Sequence, residues 1–262
     1  MRYVRPLSEE AYAPLGPNGF EASIVNQLES VMTLAARTAP GGCGPGLHYH
    51  AVDQFYVILE GEATVQLGAA EHVVPAVSLV FVPAGVAHRS WNHTAGPEEH
   101  IELFVPSVPA GRPLLSLVDD PSEAPGSDVE PFIAQISDEA FGVNMRPTGF
   151  SVQPLADRER GVTSVLINAA QVNEGGAGPA THIHTFDQLY FVLEGELQLD
   201  VAGQRLVAPR HSLVVLPAGV PHTQWNDGPG REVHLAVLTP YPEAGKPLTV
   251  EVSFGLAAAP AG

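Results

Sequence analysis

His48-Tyr49-His50 and His182-Ile183-His184 each place two imidazoles two residues apart. In an extended strand that spacing puts both side chains on one face, so each pair can aim two nitrogens at one point. Imidazole is the commonest metal donor among side chains and suits Zn, Cu, Fe, Ni or Mn. A single His-x-His carries little weight. Here each copy is followed four residues on by a Gln (Gln54, Gln188) and then by a third His behind Pro-x-Gly-x-x. Those third histidines are His88, after Pro83-Ala84-Gly85, and His222, after Pro217-Ala218-Gly219. The same constellation twice in one chain points to two metal centres, one on His48, His50 and His88, the other on His182, His184 and His222.

The spacing recurs because the chain itself does. From Ser30 onward an offset of 134 maps Ser30-Val31 onto Ser164-Val165, Asp53-Gln54 onto Asp187-Gln188, and His100 onto His234, with no insertion or deletion. Such a register implies the same strands and turns in both halves. Within each half the apolar segments are short, β-branched and aromatic, as in Gln54–Leu59, Ala63–Leu67 and Leu79–Val82. With 26 Gly and 25 Pro to end them, they predict an all-β barrel or sandwich. The expected organisation is an arm over 1–29, a first domain over 30–115, an acidic linker over 116–158 and a second domain over 159–254. Residues 255–262 read as a mobile tail of small residues. The sole helix expected lies around Val129–Phe141.

Composition narrows the partners. A net charge of -17, without clustered Lys and Arg, argues against nucleic acid. No apolar stretch is long enough to span a membrane, and the N-terminus lacks the apolar run of a signal peptide. The only cysteine, Cys43, excludes an intramolecular disulfide and suits a reducing compartment. The reading is a soluble, cytoplasmic protein whose partner is a small molecule.

The two halves resemble the cupin superfamily. Its first motif, Gly-x5-His-x-His-x3,4-Glu-x6-Gly, is met by Gly42, His48, His50 and Gly61, and again by Gly176, His182, His184 and Gly195. Its second, Gly-x5-Pro-x-Gly-x2-His-x3-Asn, is met by Pro83, Gly85, His88 and Asn92, and again by Pro217, Gly219, His222 and Asn226. The resemblance implies a bicupin, with two tandem double-stranded β-helix (jelly-roll) barrels. It also implies that Gln54 and Gln188 stand at the position of the acidic ligand, and that Val77 and His211 replace the leading Gly of the second motif. A carboxylate would cancel one charge of a divalent ion, whereas an amide oxygen cancels none. Each centre should therefore be a stronger Lewis acid toward an anionic ligand and hold its metal less tightly.

Among cupins, neutral three-histidine sets occur in Fe(II) dioxygenases that cleave diketones or aromatic diols. Three histidines with a glutamine occur in non-redox cupins, including a bicupin that isomerises a prephenate-derived keto acid and a cupin that opens unsaturated uronates. The resemblance thus implies a metal-dependent enzyme for a small, oxygen-rich, anionic metabolite, with up to two divalent metals per chain. Fe(II) is favoured over Mn, Ni or Zn, and dioxygenase chemistry over isomerase or lyase chemistry. A non-catalytic ligand-binding or storage bicupin is the reading from another class. The resemblance also implies a homodimer formed by exchanging edge strands, a part the N-terminal arm could play.

Strand alternation adds further candidates. Tyr56 and Tyr190, two residues after each Gln, face inward, either to bond a substrate or to fill the barrel. His100 and His234 recur on the following strand, as general acid/base groups or as structural histidines. Asp53 and Asp187 should point the other way and serve a turn or structural role. Ser90 and Gln224, two residues after each third histidine, differ, so the two cavities should not treat a ligand alike.

Overall fold

A computed structural model describes residues 2–15 and 18–253; the tail over 255–262 lies outside the described residues. Each half pairs a six-stranded with a five-stranded antiparallel sheet. In the first half the larger sheet runs Phe132–Gln135, Ser78–Val82, Asp53–Glu60, Glu98–Val105, Met32–Thr38, Phe20–Gln27. The smaller runs Ser116–Leu117, His48–Tyr49, His88–Trp91, Glu62–Leu67, Ala70–Pro75. The second half repeats both orders, with Asp187–Glu194 and Glu232–Thr239 at the centre of its larger sheet and His222–Trp225 at the centre of its smaller one. The two tandem jelly-roll barrels expected from the sequence are present.

The central strands are buried on both faces, which is why they read as continuous apolar runs. Tyr56 and Ile58 face the interior of the first barrel, while Phe55, Val57 and Leu59 face out of it. The outward set packs on Leu189, Phe191 and Leu193 of the second barrel in one cluster, so the two larger sheets lie back to back. Burying each such side chain stabilises the fold by roughly 1.5–3 kcal/mol.

Several segments fall differently from their sequence reading. Phe20–Gln27, within the expected arm, and Phe150–Ala156, within the expected linker, are the edge strands of the two larger sheets. The duplication therefore reaches back beyond Ser30, but there its spacing changes: Phe20 pairs with Thr38 as Phe150 pairs with Val172. The turn that follows is longer in the second half and holds the 3-10 turn Arg158–Arg160. The helix expected around Val129–Phe141 is replaced by strand Phe132–Gln135 and a short helix, Asp138–Asn144, capped by the Ser137 hydroxyl, which accepts from the Ala140 N–H. The open edge of Ser78–Val82 recruits the alternating Phe132-Ile133-Ala134-Gln135, and tertiary pairing overrides a weak helical preference. In the same way Val4–Pro6 of the N-terminal segment pairs with Ser212–Leu216 of the second barrel. Each barrel is thus edged by the segment that precedes the other.

A reciprocal pair of hydrogen bonds reinforces this exchange. Ser164 Oγ donates to Asp53 at 2.6 Å, and Ser30 Oγ donates to Asp187 at 2.5 Å. The other carboxylate oxygen of each Asp accepts the backbone N–H of Ala84 or Ala218, in the turn leading to the third histidine. Asp53 and Asp187 therefore tie each histidine turn to the opposite barrel, the structural role their outward register suggested. Ser30→Ala and Ser164→Ala should each lower stability by about 1.5 kcal/mol, the low end for a hydrogen bond to a charged group. The check is a shift of the urea midpoint at constant slope.

At the two positions where the second motif lacks its leading Gly, the backbone keeps a glycine's conformation. Val77 and His211 both have φ of 61°. A non-glycine residue there costs about 1–2 kcal/mol. Val77→Gly should accordingly raise stability, by about 0.5–1 kcal/mol after the entropic cost of glycine, measured in the same urea titration.

Candidate metal centres

The two-residue strands His48–Tyr49 and His182–Ile183 pair with the strands that carry the third histidines, so His48 stands opposite His88 and His182 opposite His222. Their ring centroids are 4.3 Å apart in both barrels. His50 and His184 complete each group, and all six are buried, with the ligating nitrogens of each trio within 4.8 Å of one another.

Every one of these rings is oriented by a backbone carbonyl. The Nδ1–H groups of His48, His50 and His88 donate to Gly46, Leu114 and Val86 at 2.7, 2.6 and 2.9 Å. Those of His182, His184 and His222 donate to Ala180, Leu248 and Val220 at 2.7, 2.6 and 3.0 Å. With the proton on Nδ1, each Nε2 presents a lone pair inward. Nε2 of His50, His88 and His222 is buried with no hydrogen-bond partner. Nε2 of His182 and His184 lie 3.2 Å apart, two acceptors facing each other rather than a hydrogen bond. Metal–nitrogen bonds near 2.1 Å would put neighbouring ligand nitrogens about 3.0–3.4 Å apart, so this contact has the spacing of a coordination edge. Orphaned acceptors converging in a buried site are what a divalent ion would satisfy. The residues fit a metal.

Gln54 and Gln188 approach the same two points from the central strands of the larger sheets, each with a buried, unpartnered Oε1. In the first barrel the amide is locked, because its Nε2 donates to Glu102 Oε2 at 2.7 Å. Both centres can therefore present three imidazoles and one amide oxygen.

Burial keeps the imidazoles neutral. It lowers His50 to about 4 and His222 to about 3, places His88 well below its ordinary range, and lowers His48, His182 and His184 as well. On unfolding these rings regain pKa values near 6.5. Below that pH the unfolded chain binds more protons than the native one, so stability present above about pH 6.5 drains away toward pH 4 and below. The melting temperature of the metal-free protein should fall steadily over that window, and calorimetry against pH reads it directly.

Behind each centre lies a second buried polar group. In the first barrel His100 Nδ1 bonds Glu98 at 2.7 Å and Nε2 bonds Glu102 at 3.2 Å. Burial disfavours its charge, but the two carboxylates overcome that and raise it to about 10. In the second barrel His234 Nδ1 bonds Glu232 at 3.0 Å, while its Nε2 lies 3.5 Å from Gln224 Nε2. The position of Glu102 is Ala236 there. Tyr56 and Tyr190 sit between the metal-ligating and buried histidines. Tyr56 is 5.3 Å from His100 and Tyr190 is 4.6 Å from His234 by ring centroid. Burial holds both phenols well above their ordinary pKa, so each is a proton donor rather than a phenolate. Tyr190, Gln224 and His234 line a cavity of about 110 Å³ that reaches His182, His184 and Gln188.

The sequence reading missed Glu98, Glu102 and Glu232. The signal was there: in Glu98-Glu99-His100-Ile101-Glu102, the two-residue spacing puts both carboxylates on the face that carries His100.

A search of curated protein sequences returned no match. Among solved structures, the chain resembles a protein described as glyoxylate-induced from Pseudomonas aeruginosa, at 17% identity and a TM-score of 0.69, covering 89% of this chain and 87% of that one. It also resembles an oxalate decarboxylase variant from Bacillus subtilis (16% identity, TM-score 0.67, 93% and 78% covered), an enzyme described as holding Mn(II) centres. A third is salicylate 1,2-dioxygenase from Pseudaminobacter salicylatoxidans (14% identity, TM-score 0.65, 80% and 71% covered). At these identities the likeness shows the fold. No helix among the described residues is long and apolar enough to cross a membrane. The cupin domain family matches residues 36–104 and 170–239, one barrel each, and this chain, with a buried three-histidine group in both, belongs to that family.

Proposed function

We propose that the chain is a metal-dependent dioxygenase for a small, oxygen-rich acid, cleaving a C–C bond. The observation that carries this reading is the donor set: His48, His50, His88 and Gln54 in one barrel, and His182, His184, His222 and Gln188 in the other, are all neutral. A divalent ion held there, Fe(II) in this reading, would keep its full charge to attract an enolate-like chelating acid and would supply the redox chemistry toward dioxygen. The cavity in the second barrel, about 110 Å³, gives a compact acid room beside His182, His184 and Gln188.

The chain's own residues have definable parts in this reading. The backbone carbonyls hold each imidazole in its ligating tautomer, so no reorganisation accompanies binding. Tyr190, lining the cavity with its proton retained, donates a hydrogen bond or a proton to an oxygen of the bound acid. His234, oriented through Nδ1 by Glu232, leaves Nε2 facing Gln224 and the cavity. The apolar lining, including Phe150, Val152 and Leu238, limits water around the reacting atoms.

The same Tyr190 and His234 also favour a second reading, a non-redox isomerase or lyase in which they move a proton beside a carbonyl. The Fe(II)-reconstituted chain, given a panel of 2-oxo acids, 2-hydroxy acids and 1,3-diketones in an oxygen electrode, separates the two. One equivalent of oxygen consumed per substrate is expected. Equal turnover without oxygen would move the assignment to the non-redox reading, and tight binding of a panel member with no product under either condition would leave a binding barrel.

A further inference from the structure

The two metal-ligating sets are identical, yet what stands behind them is not. Glu102 touches the amide of Gln54, and with Glu98 it shares the single imidazole of His100, so two carboxylates meet one ring. The second barrel has one carboxylate, Glu232, for one ring, His234, and Ala236 where Glu102 would be. The strands are in equal register, Glu102 opposite Tyr56 as Ala236 is opposite Tyr190, so the difference is one of charge at a single place.

Packing around the two centres differs as well. Phe104, opposite Gln54, presses its ring edge-on to His50 at 4.9 Å; in the second barrel Leu238 stands opposite Gln188 and Phe186 instead stacks on His184 at 4.8 Å. Leu34 and Leu115 of the first half correspond to Asn168 and Thr249, both of which line the second cavity. The first centre is backed by an extra carboxylate. The second opens on a partly polar space without that charge.

We propose that the two centres divide the work: the second binds the anionic ligand, and the first, through Glu102, holds its metal closed to anions. This rests on the metalloenzyme reading and names which of its two sites meets the substrate. Glu102 is a positioning residue in it. It fixes the Gln54 amide with Oε1 toward the histidines, and its negative charge repels a second anion from the same centre.

The test uses the full chain loaded with Co(II), and azide as the probe, followed by the visible spectrum of the cobalt. Two cobalt ions and one azide per chain are expected. His48→Ala, with only the second centre left, should bind azide as tightly as the parent, and His182→Ala, with only the first, should bind none in the same range. Ala236→Glu should weaken azide at least tenfold while cobalt content stays at two. Ala236→Asp serves if the longer side chain disrupts folding. Two azides per parent chain, or azide retained in His182→Ala, would overturn the division of labour while leaving two metal centres in place. A chain that takes up no cobalt would overturn it together with the metalloenzyme reading. Azide at the second centre without oxygen-dependent turnover would uphold the division of labour and remove the dioxygenase reading alone.

Discussion

His48→Ala and His182→Ala should each lower the metal content from two equivalents per chain to one, in protein purified without chelators or added metal. The loss should be confined to the altered barrel. Each trio is pre-oriented by its own set of backbone carbonyls, and no ligating side chain is shared between barrels. Removing one imidazole leaves two imidazoles and an amide oxygen, too few neutral donors to keep a divalent ion against water. Supporting residues alone typically contribute 10–100-fold to metal affinity, so deleting a direct ligand should exceed that. Elemental analysis reads the result without knowledge of the substrate. Iron as the resident metal would support the dioxygenase reading, and zinc or nickel the non-redox one. A single substitution that emptied both barrels would show that the centres are coupled, and the Ser30–Asp187 and Ser164–Asp53 clasp would be the first route to examine.

His100→Ala should be among the most destabilising single changes in the chain, at about 3–5 kcal/mol, the usual cost of stripping the partner from a buried charge. It would leave Glu98 and Glu102, 2% and 7% exposed, in one barrel interior with no cation between them. The equivalent change in the second barrel, His234→Ala, uncovers only Glu232, whose pKa burial already raises, so it should cost less. The comparison is internal to one molecule and isolates the second carboxylate. Acid should also narrow the deficit of His100→Ala, because protonating the stranded carboxylates removes the charge that His100 had balanced. Urea unfolding of both variants at neutral and at mildly acidic pH provides the measurement. Equal costs would mean that Glu102 is neutral in the native protein.

Much of the architecture was legible because two simple periodicities carried it. The offset of 134 from Ser30 onward exposed the duplication, and the two-residue spacings of His48/His50 and His182/His184 put each pair on one strand face. The turn residues did the rest. Gly61 and Gly195, at φ of 74° and 72°, lie where a Cβ would meet a backbone oxygen at 2.5 and 2.6 Å, so the hairpin requires glycine. The outward register of Asp53 and Asp187 was also readable, although not their partners.

What tertiary structure alone decided was which edges are covered and what stands behind the metal ligands. Val4–Pro6 and Phe132–Gln135 are too short to announce themselves as strands; each exists because an open sheet edge offers unpaired backbone groups, and that edge belongs to the barrel on the other side of the molecule. The reach of Glu102 to the Gln54 amide depends on the lateral pairing of Glu98–Val105 with Asp53–Glu60, a contact between residues 48 positions apart. Local spacing determined the donors of each centre. Long-range pairing decided that one centre has a carboxylate at its back and the other an alanine.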